Sequence, residues 1–168
     1  MPDAALRALL EVLDRAYDHK SWHGTNLKGA LRALPVSVAV WRPAPGRHDA
    51  WEYALHAAYW KYRVRRLLTG EPQGSFPLQG SDFFPRPEEG LTEKERAAVW
   101  KADRALLEEE HRRLRAAVEG LAGRDLESAP EGTKHTYLEL VAGAAAHDLY
   151  HAGQIQLLKR LAKGGTGG

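Results

Sequence analysis

Long runs of helical periodicity fill this chain between proline- and glycine-rich breaks, and no segment alternates convincingly as a strand. That pattern excludes sheet-based architectures and leaves helix packed on helix. The first run spans about Asp3 to Asp18 and puts Leu6, Leu9, Leu10, Leu13, Ala16 and Tyr17 on one face. A short helix is expected after Thr25, carrying Leu27, Ala30, Leu31 and Leu34 before Pro35, followed by the proline-rich stretch Trp41-Arg-Pro-Ala-Pro-Gly46. The second long helix opens at Asp49-Ala-Trp-Glu52, where an N-cap acid with Glu three residues later forms a capping box, and stops at Thr69-Gly70. The third opens with another box, Thr92-Glu-Lys-Glu95, and runs to about Leu121. The fourth begins after Gly132, with Thr136 and Glu139 near its start, and runs to about Lys163. Four helices of roughly 16 to 30 residues predict an all-α four-helix bundle. Residues 1–163 read as one domain and 164–168 as a flexible glycine-rich tail.

At 168 residues the chain can bury a real core. Its 24 basic and 22 acidic side chains nearly balance, and the arginine clusters lie among glutamates on helix faces, which reads as solvated surface and no nucleic-acid partner. There is no cysteine, hence no disulfide, no zinc-thiolate site and no thiol nucleophile of the chain's own. No signal peptide and no run of about 18 apolar residues is visible, so the expectation is no membrane partner and a cytoplasmic location.

Two irregularities bear on function. The connection from Gly70 to Leu91 is about 22 residues long and carries Phe76, Phe83 and Phe84, so it should pack over something, either as a wall beside a site or as a crossover between helix ends. The fourth helix is apolar on two faces. Leu138, Val141, Ala145, Leu149 and Ala152 lie opposite a stripe of Leu140, Ala144, Leu158 and Leu161. Either the helix is central, or its second face meets another copy in a homodimer.

The histidine stripe carries the chemistry. In His147-Asp-Leu-Tyr-His151 the two imidazoles sit about 40° apart around the helix and roughly 6 Å along it, so both can reach one metal ion. Two satisfied core histidines would show the same spacing, and a third ligand is needed to decide. His56, in apolar surroundings on the second helix, is the first candidate, with Glu52 one turn earlier as an acceptor to orient its ring. His111, at the edge of the Leu107, Leu114 and Val118 stripe, is the next. Gln154 lies below His147 and either meets a ligand or fills the bundle floor, while Asp148 points about 100° away and is expected to form a helix contact or a salt bridge. Glu110 is a candidate base or a half-exposed charge.

Trp51-Glu-Tyr-Ala-Leu-His56-Ala-Ala-Tyr-Trp60 together with His147-Asp-Leu-Tyr-His151-Ala-Gly-Gln-Ile155 resembles the DinB-like family, also known as the YfiT-like metal-dependent hydrolases. Trp22-His-Gly24 and Gly80-Ser-Asp-Phe-Phe-Pro85 resemble one branch of it. The resemblance implies a bundle in up-down-down-up order, which explains a long crossover. It also implies a divalent metal, zinc or nickel, on residues matching His56, His147 and His151.

Three neutral imidazoles leave a coordination position open, as in catalytic sites, whereas structural zinc usually has four protein ligands. Such an ion activates water for hydrolysis or an incoming thiol for transfer. The resemblance implies both activities on a small-molecule substrate, with any low-molecular-weight thiol coming from solution. The rival expectation is a non-catalytic metal- or small-molecule-binding module of a stress response. A di-iron carboxylate site is excluded, because it needs two Glu-x-x-His motifs and only Glu108-Glu-Glu-His111 matches.

Overall fold

The computed structural model describes residues 4–72, 74 and 76–164; the expected start of the first helix at Asp3 and the tail beyond Gly164 lie outside them. Six helices and no strand are found among the described residues: α1 (Ala4–Tyr17), α2 (Leu27–Leu31), α3 (Val36–Ala39), α4 (Ala50–Thr69), α5 (Glu93–Glu119) and α6 (Tyr137–Gly164). Sequence reading missed α3, whose single turn after Pro35 is too short to show a period. Helix α4 packs along α5 and α6, and α1 packs along the same two, so each long helix touches two others.

The caps explain the boundaries. The Asp49 carboxylate accepts from the Glu52 amide at 2.9 Å and Gly70 closes α4 at φ 68°, a left-handed conformation that glycine adopts without steric cost. The Thr92–Glu95 box opens α5. A third box opens α6, where the Thr136 hydroxyl accepts from the Glu139 amide at 3.1 Å and Glu139 accepts from the Thr136 amide at 2.9 Å. The segment between Gly132 and Thr136 is therefore not helical, and α6 starts later than expected.

On α6 the buried arc differs from the expected one. Ala144, Asp148, His151, Ile155, Leu158 and Ala162 are buried, whereas Leu161 is 45% exposed. At 100° per residue the centre of that arc lies about 60° around the helix from His147. His147 thus sits at the rim of the core, half-buried, and Leu161 falls outside it. The opposite stripe is also covered within the chain, because Val141 and Ala145 pack with Leu6, Leu13 and Ala16 of α1. Helix α6 is central, and that stripe offers no argument for a second subunit.

Between the two apolar clusters lies a buried polar chain. Lys61 of α4 is paired with Asp148 of α6, its ammonium 5.0 Å from the centre of the Tyr17 ring, and Tyr17 stacks on His111 at 3.7 Å. His111 is therefore spent in the core and does not join the histidine cluster. Burial pushes its pKa down to about 2, helped by Lys61, Arg115, Lys28 and His19. In the unfolded chain it would titrate near 6.5. Below that pH the unfolded state takes up a proton that the folded state refuses. His111 therefore costs about 1.4 kcal/mol of stability per pH unit of acidification. A His111→Phe variant keeps the stacking and removes the titration. Its melting temperature should fall less between pH 6.5 and 4.5 than that of the wild type, and parallel curves would refute this.

Candidate metal centre

Helices α4 and α6 bring His56, His147 and His151 together. The His147 Nε2 lies 3.1 Å from Nε2 of His56 and 3.0 Å from Nε2 of His151, and all three ligand atoms fall within 4.8 Å of one another. Nitrogens bound tetrahedrally at about 2.0–2.1 Å stand roughly 3.3 Å apart, so small ring movements would suit one ion.

The outer nitrogens set the tautomers. His56 Nδ1 donates to the backbone carbonyl of Asp82 at 2.9 Å, and a carbonyl can only accept. His151 Nδ1 donates to Oε1 of Gln154 at 2.6 Å. Both rings therefore turn Nε2 lone pairs towards His147, whose own Nε2 carries at most one proton and can satisfy only one of them well. A cation at the convergence point would satisfy all three. This donor chemistry, with each outer N–H anchored, is the arrangement by which proteins fix metal-binding imidazoles. Burial depresses all three pKa values, to about 3 for His147 and about 4 for His151; repulsion from neighbouring rings adds to it at His147 and His151, and at His56 it comes from His48. At neutral pH no proton has to be displaced from the group.

Sequence reasoning named the three histidines but assigned one outer partner wrongly. Glu52 does not orient His56. Its carboxylate accepts from Arg42 at 2.7 and 3.0 Å and from His48 Nδ1 at 2.9 Å, which draws it towards the start of α4. The role falls to Asp82 in the long connection. Its backbone is left-handed at φ 68°, a conformation Asp tolerates better than most residues, and its carboxylate also accepts from the Trp60 indole at 2.9 Å. The neighbouring Phe83 is stacked between His56 at 4.1 Å and His48 at 3.6 Å. Phe76 and Phe84 are buried against Tyr59. The connection is thus a wall of the site. The aromatic content of Gly80–Pro85 signalled this, whereas a backbone carbonyl as the His56 acceptor has no sequence signature.

The other candidates are placed elsewhere. Of the two expectations for Asp148, the salt bridge is found, with Lys61. Glu110 is not half-exposed and is not among the residues that gather at the site; it is 1% exposed and faces Arg65 of α4 and Arg113 of its own helix. His135 lies 3.6 Å from Glu139, and His19 bonds Asp18. No helix is long and apolar enough among the described residues to cross a membrane.

Comparison with known proteins gives no match among curated proteins and none among solved structures. A model of the DinB superfamily matches residues 20–155, a span that holds the three histidines, Asp82 and Gln154. On that match, which covers most of its length, the chain belongs to the DinB superfamily.

Proposed function

We propose that His56, His147 and His151 bind one divalent transition metal, zinc or nickel, and that the centre belongs to an enzyme acting on a small molecule. The observation that supports it most is the convergence of three Nε2 atoms whose two outer rings are already locked in the metal-binding tautomer. When bound, such an ion supplies Lewis acidity at an open position, suited to hydrolysis of a small molecule or to transfer of a thiol taken from solution. The surrounding residues serve that chemistry by holding still. Asp82 and Gln154 fix two imidazole planes, and the Phe83 and Tyr53 rings, the latter 5.1 Å from His151, limit water around them. All three histidines stay neutral, so the charge of the ion would be left undiminished by its ligands.

The test is the metal content of the untagged protein by mass spectrometry, as purified and after reconstitution with zinc or nickel. About one metal per chain is expected. A protein that stays metal-free in both conditions overturns the proposal.

A further inference from the structure

Beside the three histidines a cleft of about 270 Å³ opens between α4 and α6, and His147 forms part of its lining. Trp60 and Val64 face it from α4, and Leu140, Gly143 and Ala144 from α6. These walls are apolar. The two charged or titratable groups at its edge, His135 and Glu139, are 3.6 Å apart and occupied with each other. Its remaining lining is the Lys61–Asp148 pair, and here one atom is unsatisfied. Asp148 is 1% exposed, and its Oδ1 has no hydrogen-bond partner among the described residues, although Oδ2 is held by Lys61. A buried carboxylate oxygen without a donor is costly, and a ligand N–H or O–H would relieve that cost.

We propose that this cleft is the substrate pocket of the centre, and that it takes a small molecule with an uncharged apolar body and an N–H or O–H donor on its polar head. The head would lie between His147 and Asp148 and the body along Trp60, Val64 and Leu140. The volume is at the low end for ligand pockets, which suits a short acyl or single-ring body better than a large one. This inference rests on the metal reading, because the head is addressed to the ion.

Alkyl hydroxamates test it, since they combine a metal-binding oxygen, an N–H donor and a tail of chosen length. Titrated calorimetrically into metal-loaded protein, hexanohydroxamate should bind roughly 30-fold more tightly than acetohydroxamate. Each buried methylene is worth up to about fourfold, less the cost of ordering the tail. Gly143 is the residue to change, because a Cβ added there meets nothing within 4 Å and a longer side chain would enter the cleft. Gly143→Leu should leave metal content and acetohydroxamate affinity unchanged and abolish the advantage of the longer tail. Equal affinities along the series in the wild type, or an advantage that survives in Gly143→Leu, would overturn the proposal.

If mass spectrometry of the same samples finds no metal, the metal reading fails separately. The cleft is then tested on the metal-free protein with hexanamide. Nuclear magnetic resonance shifts at Gly143, Ala144 and the Trp60 indole that vanish in Gly143→Leu would keep the pocket, and their absence would remove it.

Discussion

The His147→Ala variant is expected to lose metal affinity by more than about 100-fold while keeping its helical circular-dichroism signal. His147 is the member of the group closest to both others, at 3.1 Å from His56 and 3.0 Å from His151, so its removal leaves two ligands that face each other across a gap. Loss of an outer partner alone typically costs 10- to about 100-fold in affinity, and loss of a ligand should exceed that. Gln154→Ala supplies the graded control. It frees Nδ1 of His151 without touching a ligand atom, and should fall within that 10- to about 100-fold range. The fold should survive the change at position 147, because the ring lies half-buried at the edge of a cleft and Ala is the better helix former. Competition against a chromophoric chelator reads the affinities. Wild-type affinity in His147→Ala would sink the ligand assignment. A collapsed helical signal, in the variant or on metal removal, would instead mark a structural site, as small domains folded by their metal behave.

The starts of α4 and α5 were legible because they are written in side chains. Asp49 with Glu52 and Thr92 with Glu95 form the expected boxes, and Gly70 ends α4 as a left-handed residue. The angular position of the core on α6 was less legible. Leu161 has the same periodicity as Leu158, yet one is 45% and the other 6% exposed. Hydrophobicity at helical spacing indicates that a buried face exists, while its centre depends on which neighbours arrive. Here α1 and α4 arrive on a bearing that moves His147 to the rim, and this places one metal-ligand candidate beside the cleft.

The histidine group was legible in a similar, partial way. Spacing alone brought His147 and His151 to one ion, apolar surroundings ranked His56 ahead of His111, and family resemblance supported that choice. The structure gives that choice a reason in packing. His111 stacks on Tyr17 next to the Lys61 ammonium, where its ring helps to fill the core and cannot turn towards α6. The acceptors of the outer N–H groups divided by type. Gln154 was read only as meeting a ligand or filling the bundle floor below His147, and it serves instead as the acceptor for His151 one turn earlier, whereas the Asp82 carbonyl is backbone in a loop and no residue type announces it.

Asp148→Ala is expected to destabilise the protein by about 3–5 kcal/mol, since it strands a buried ammonium. Lys61 is 2% exposed and Asp148 1%, and the Tyr17 ring face is a second favourable neighbour of the Lys61 ammonium. For a chain of this size the melting temperature should drop by roughly 6–20 °C. Lys61→Ala should cost a similar amount by leaving the carboxylate alone. The pair itself need not add much stability, because burying both charges is expensive. Replacing both together, as Lys61→Met with Asp148→Leu, should recover most of the loss. Thermal melts of the two single variants and the double close a cycle that isolates the coupling. Single variants that melt within a degree or two of the wild type would mean that water from the cleft solvates the surviving charge. A double variant as unstable as the singles would mean that the pair is required by shape. The proposed pocket gives a reason for this pair to persist where an apolar pair would be as stable: Asp148 lines the cleft, and one of its oxygens is left without a partner among the described residues.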